Sequence, residues 1–219
     1  MIRYPYTDPQ LVAAGTQEAV RRDVRVLQIY RLAEPEGAHC IQLLRALDPP
    51  PDALVADLGS GIGTVAHWMS RVRPDLRLVD VNISHYQLAI SETEQRVQAD
   101  IERLPLASGS LDCAMLLYSI GHADAQAVLE EAARVLKPDG VLLLWDMVSE
   151  QTQVQEAMQG MLHYRILAPR MLESAFQGAG YRLDRWEIRR GPMVRGIFTP
   201  AQKLVLRGVA PVLVRAVRT

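Results

Sequence analysis

An α/β fold, a mostly parallel sheet with helices on both faces, is what this sequence predicts, and three observations predict it. From Ala53 onward, apolar runs of strand length alternate with stretches of helical periodicity, the order that builds a parallel sheet beneath crossover helices. A glycine-rich turn, Gly59 to Gly63, separates the first such run from the helical stretch after it. The composition, 49% hydrophobic and 22% charged over 219 residues, is that of a globular chain. A chain of this length buries about 70% of its unfolded surface, enough for a core and a pocket together.

The elements follow in order. Apolar residues at helical spacing between Gln17 and Leu32, and again from Ala38 to Leu47, predict helices that Asp48-Pro49-Pro50-Pro51 brings to a stop. Strands are predicted at 54–58, 76–81, 97–100, 111–118, 141–146, 181–189 and 193–198, which makes a seven-stranded sheet. The last two form a hairpin across Arg190-Gly191-Pro192. Helices are predicted at 64–73, 84–96, 123–136 and 169–180. The tail from Pro200 to Arg218 is apolar with interspersed basic residues and reads as an amphipathic helix broken at Pro211. Three stretches result: an N-terminal helical lid over 1–52, the sheet domain over 53–199, and a C-terminal tail over 200–219 packed on it.

Charge and cysteine usage narrow the functional classes. Residues 1–159 hold 13 Lys and Arg against 22 Asp and Glu, and residues 160–219 hold 11 against 3. The basic last quarter reads as a solvated face balancing an acidic body, with an anionic substrate or a nucleic acid as the alternatives. Nucleic acid is disfavoured, since no RRM or KH signature and no lysine-rich stretch is present. Cys40 and Cys113 have no zinc-ligand or redox spacing, so neither a metal site nor a disulfide framework is expected. The first residues lack the apolar region of a secretory signal, and no apolar run reaches the roughly 20 residues of a membrane span. A cytoplasmic protein is expected. For the tail, docking on the body, a homodimer contact and an anionic-membrane contact all remain open.

The glycine turn selects among ligands. In Asp57-Leu58-Gly59-Ser60-Gly61-Ile62-Gly63 an acidic residue ends the first strand and three glycines follow at alternate positions. A loop without side chains lets a ligand approach the backbone at the carboxyl edge of the sheet. The dinucleotide fingerprint needs a glycine where Thr64 stands, and no Lys-Ser/Thr follows as in a phosphate-binding loop, so NAD and nucleoside triphosphates are disfavoured. The Asp57 carboxylate calls for a cationic or hydrogen-bond-donating group.

Across residues 53–148 the chain resembles the class I S-adenosylmethionine (SAM)-dependent methyltransferases, a Rossmann-like family, with four motifs in order. The glycine turn is similar to their first motif, which implies that Asp57, Gly59, Ser60, Gly61 and Gly63 hold the methionine end of SAM. Ala99-Asp100-Ile101-Glu102-Arg103-Leu104-Pro105-Leu106 is similar to the motif that reads adenine, implicating Asp100 and Ile101, with Leu117 facing the cofactor from the fourth strand. Ala132 to Gly140 is similar to the turn before the fifth strand, with Asp139 where glycine is common. For the ribose hydroxyls two registers exist, one using Asp80 and one using Asn82. In the second, Asn82-Ile83-Ser84-x-x-Gln87 resembles the branch containing cyclopropane-fatty-acid, sterol, tocopherol and prenyl-diphosphate C-methyltransferases.

That resemblance implies SAM as cofactor, S-adenosylhomocysteine as product and a small-molecule acceptor, first a carbon centre of an isoprenoid or related natural product. O- or N-methylation of a secondary metabolite or quinone is the alternative within the class. A non-catalytic nucleotide- or RNA-binding module is the alternative outside it. In the C-methyltransferase branch a glutamate often follows the fourth strand; here Tyr118 stands in its place, and His122 four residues on has the intrinsic pKa of a general base. Tyr118 and His122 are therefore the candidate catalytic pair. Tyr4, Tyr6, Tyr30, His39, Asp146, His163 and Tyr164 are candidates for substrate contact, although each is of a type that also serves packing. Arg182, Arg185, Arg189 and Arg190 do not form a joint diphosphate clamp, because strand alternation sends Arg182 to the face opposite Arg185 and Arg189.

Overall fold

Helix α1 (Ala38–Leu47) stops before three consecutive prolines, which supply no backbone donors to continue it. In the computed structural model, residues 38–188, 205 and 207–219 are described, without the side chains of 38–41, 161 and 162. The expected helix near 17–32, the expected strand 193–198, and Tyr4, Tyr6 and Tyr30 lie outside the described residues.

Five parallel strands form most of the sheet: β1 (Leu54–Leu58), β2 (Arg77–Asn82), β3 (Gln95–Gln98), β4 (Leu111–Leu117) and β5 (Leu136–Val148). Helices α2 (Thr64–Val72), α3 (His85–Ile90) and α4 (Ala125–Val135) make crossovers between them. After β5 come α5 (Thr152–Leu162), α6 (Pro169–Gly178), β6 (Tyr181–Ile188) and β7 (Ala210–Arg218). The strand order is β3-β2-β1-β4-β5-β7-β6, and β7 runs antiparallel to both of its neighbours. The order reverses between β1 and β4, so their carboxyl ends open a crevice.

The strands are apolar on both faces because both are covered. Leu58, Leu116, Leu142, Leu144, Val128 and Phe176 pack on the α4 and α6 side. Leu47, Val55, Met69, Met115 and Leu143 pack on the α1 and α2 side. Each fully buried leucine contributes about 1.5–3 kcal/mol, so the two layers dominate stability.

The structure departs from expectation in three places. The tail is a strand and not an amphipathic helix: β7 pairs with β5 from Val141↔Val217 to Val148↔Ala210. Its Val212, Val214 and Val217 suit a pleated surface, and Pro211 sits near the start, where a missing donor is tolerated. The seventh strand thus comes from 210–218. Helix α3 stops at Ile90, well short of Arg96, because Ser91 is extended and its hydroxyl is bonded to Asp80. Finally, β5 begins at Leu136 and contains the expected turn as an irregularity. Leu111 pairs with Leu136 but Cys113 pairs with Val141, and Asp139 takes φ +61° where the extra residues loop out. Among the described residues no helix is long and apolar enough to cross a membrane.

Candidate active site

The cofactor end of the crevice is built from the ends of β1 and β2. Gly59 and Ser60 both donate their backbone N–H to the carbonyl of Val81, at 2.8 and 3.1 Å, which folds the turn over the end of β2. Gly59 and Gly63 have φ +85° and +74°, and a Cβ at either would collide, with Ser119 in the first case and with Asp80 and Ser91 in the second. Only glycine fits there.

Asp57 and Asp80 are register partners on β1 and β2 and lie side by side beneath the turn, 3% and 0% exposed. Asp57 Oδ1 and Ser60 Oγ are buried with no hydrogen-bond partner among the described residues. Burial, and then repulsion from Asp80, holds the Asp57 carboxyl well above the usual carboxylate range. Asp80 is also raised by burial, against the hydrogen bond from the Ser91 hydroxyl. The Ser91 hydroxyl donates to Asp80 Oδ2 at 2.5 Å. Ser91 is not marked in the sequence by any motif.

Asn82 ends β2 and ties the turn to α3. Its Nδ2 donates to the Gly61 carbonyl at 2.9 Å and to Gln87 Oε1 at 2.6 Å, while its Oδ1 accepts from the Ser84 N–H at 3.4 Å. Ser84 caps α3 by accepting the Gln87 N–H. The Asn-Ile-Ser-x-x-Gln spacing is therefore one hydrogen-bonded unit, with Ile83 exposed at its edge. The adenine-motif segment is joined to this unit where Ala99 N–H donates to the Asn82 carbonyl at 3.0 Å. Asp100 is exposed and accepts from the Glu102 N–H, whereas Ile101 is buried in the core. Glu131 and Arg134 of α4 clamp the segment by bonding the backbone of Leu104 and Leu106.

The opposite end of the crevice is built from β4 and β5. Leu117 is half-buried and packs on the α1 and α2 side. Tyr118 donates its N–H to the Trp145 carbonyl and then turns at φ +53°, an uncommon conformation for a bulky residue and a cost of about 1–3 kcal/mol. The Ser119 hydroxyl donates to the Leu58 carbonyl at 2.7 Å and so joins the loop after β4 to the glycine turn. His122 is exposed at the end of a short 3₁₀ turn, Ile120–His122, with its ring edge-to-face with Tyr164 at 4.7 Å between centroids. Tyr164 donates its hydroxyl to Asp146 Oδ1, and both side chains are buried. Burial pushes Asp146 up to about 7, against hydrogen bonds from Tyr164, Met147 and Ile120.

The structure thus gathers Tyr118, His122, Asp146 and Tyr164 into one cluster, but turns Asp146 and Tyr164 toward each other and away from solvent. His163 is exposed at the end of α5 in left-handed backbone, and for His39 the backbone alone is described, in α1. Arg182 and Arg215 both pair with Asp184, and Arg185 pairs with Glu187, so these guanidinium groups are engaged within their own hairpin.

Comparison with known proteins bears on this arrangement. Residues 56–144 match the family described as "Methyltransferase domain". Methyltransferase GfsG of Streptomyces halstedii is 33% identical over 132 residues, 55% of this chain and 47% of that protein. A malonyl-[acyl-carrier protein] O-methyltransferase of Laribacter hongkongensis is 29% identical over 178 residues, 72% of this chain and 59% of that protein. The chain spans between 42% and 47% of the first curated relatives it matches. Among solved structures, geranyl diphosphate C-methyltransferase from Streptomyces coelicolor superimposes with a TM-score of 0.73 at 16% identity, over 84% of this chain and 79% of that one. The fold is that of the class I SAM-dependent methyltransferases.

Proposed function

We propose that this protein binds SAM in the crevice between β1 and β4 and directs its methyl group to a small-molecule acceptor. The observation that carries this reading is the buried, unpartnered Oδ1 of Asp57 beside a turn without side chains. A buried carboxylate without a partner is costly, and a ligand ammonium group offsets that cost where a pyrophosphate would add to it. When bound, SAM supplies an electrophilic methyl group on a sulfonium centre. Gly59 to Gly63 with Asp57 hold its amino-acid end, and Asp100 with Ile101 the adenine. Asn82 serves the ribose in preference to Asp80: it ends β2 within the Asn82-Ile83-Ser84-x-x-Gln87 unit, whereas Asp80 lies beneath Gly63 with its Oδ2 bonded to Ser91. A neutral amide still binds hydroxyls, without charge assistance.

The acceptor is a carbon centre of an isoprenoid or related natural product. The Asn82-Ile83-Ser84-x-x-Gln87 unit and the fold shared with a geranyl diphosphate C-methyltransferase support this class. Tyr118 offers a π face to a developing carbocation, about 0.5–2 kcal/mol depending on desolvation. A second reading is O-methylation with His122 as base, favoured by the exposure of this residue in the loop after β4. Alignment of donor and acceptor carries much of the rate in an in-line displacement.

Thermal-shift titration with SAM and with NAD tests the cofactor, and stabilisation by NAD alone overturns it. A methyl-transfer screen by mass spectrometry against isoprenyl diphosphates, quinols and small amines then identifies the acceptor. With it in hand, Tyr118→Phe and His122→Ala lower turnover more than SAM affinity; unchanged turnover in both removes them from the mechanism.

A further inference from the structure

The cluster behind His122 is made by three segments distant in sequence. Asp146 comes from the end of β5, Gly121 and His122 from the loop after β4, and Tyr164 from the segment after α5. Tyr164 is fixed at both of its ends. Its hydroxyl donates to Asp146 Oδ1, and its backbone neighbour Arg165 donates an N–H to the Gly121 carbonyl at 2.8 Å. The ring lies where a side chain on residue 121 would stand, since a Cβ on Gly121 would collide with it. Tyr164 shares one buried apolar cluster with Val154, Met158, Ile166 and Val209. Asp146 is held in turn by the Met147 N–H at 2.6 Å.

On the side of the candidate catalytic pair, the exposed His122 meets the Tyr164 ring at an interplanar angle of 89°. Edge-to-face contact is directional, so a ring that cannot move orients the ring against it.

From this arrangement we infer that Asp146 and Tyr164 are positioning residues, a buried hydrogen-bonded pair that fixes the orientation of the His122 imidazole at the acceptor end of the crevice. The inference rests on the reading of that crevice as a methyltransferase site. Neither residue touches the acceptor. The pair acts through His122, and Gly121 is glycine to admit the tyrosine ring.

Tyr164→Phe separates orientation from proximity, because the ring and its magnetic shielding stay while the hydroxyl goes. In full-length protein with labelled histidines, the ring ¹³C–¹H signal of His122, assigned through His122→Asn, moves or broadens in Tyr164→Phe while those of His67 and His85 stay in place. Asp146→Asn still accepts the tyrosine hydroxyl and moves the signal less. The double variant Tyr164→Phe with Asp146→Asn removes the hydroxyl without stranding a buried carboxylate, and reproduces the full shift. With the acceptor identified, Tyr164→Phe lowers kcat about tenfold, leaves the SAM Kd within twofold, and has no further effect in a His122→Ala background. An unmoved His122 signal in a folded Tyr164→Phe protein overturns the inference, as does an equal loss of kcat with and without His122. A failure to bind SAM would contradict the reading of the site and leave the histidine spectra to decide the positioning role alone.

Discussion

At the β1–β2 end of the crevice, Asp57 Oδ1, Ser60 Oγ and Asp80 Oδ1 are buried without partners among the described residues, whereas at the β4–β5 end the buried Tyr164 and Asp146 are bonded to each other through Oδ1 and leave Asp146 Oδ2 unpartnered. The first region is assembled from one turn and the strand end beside it, and in the proposed function its unmet polar groups receive partners from SAM. The second is assembled from three distant segments whose polar groups support one exposed imidazole. If the first region binds the donor as proposed, the two regions differ in what perturbs them. Substitutions at the first end are then expected to act on donor binding, and substitutions at the second on turnover.

The largest effect expected is at Gly63. Gly63→Val places a β-branched residue at φ +74° against Asp80 and Ser91, and strain plus overpacking cost about 2–4 kcal/mol. Thermal or denaturant unfolding reads this directly, and an unchanged melting temperature would mean that the turn does not press on β2 as described. Next comes the pH dependence of the ligand-free protein. Asp57 and Asp146 hold their protons more tightly folded than unfolded, so the stability they contribute is fully present below about pH 4 and is lost as pH rises through the folded values, about 7 for Asp146. Asp75, lowered to about 2 first by its hydrogen bond from Arg73, stays ionised in both states above pH 5 and does not enter this window. The melting temperature is therefore expected to fall between pH 5 and pH 8, and Asp146→Asn to flatten part of that fall. An identical profile in the variant would remove Asp146 from the explanation. The smallest effect is expected far from either end: Asp139→Gly relieves left-handed backbone at φ +61° and changes stability by at most about 1 kcal/mol, with SAM affinity unchanged by titration.

The same contrast explains what the sequence discloses. The β1–β2 end is legible because its parts are two consecutive stretches, Asp57 through Gly63 and Asn82 through Gln87, the second of which closes its hydrogen bonds within a few residues, while the bonds from the glycine turn to Val81 and Asn82 are long-range and are not legible. The Ser91–Asp80 bond is not legible, because Ser91 ends α3 early and reaches Asp80 from eleven positions away. The Asp146–Tyr164 bond spans 18 residues and has no local signature, so the two residues read as separate polar candidates. The tail misreads for a related reason. A short apolar run with scattered arginines fits either period, and only pairing with β5 and β6 selects the strand. At Asp139, by contrast, the motif and the backbone agree, since the position where glycine is common is one of positive φ.

Calorimetric titration of SAM into the wild-type protein and into Asp57→Ala tests the central claim most directly. The account predicts a single site in the wild type and affinity at least tenfold weaker in a folded variant, a loss of about 1.4 kcal/mol or more. Equal affinity in the two proteins would contradict it.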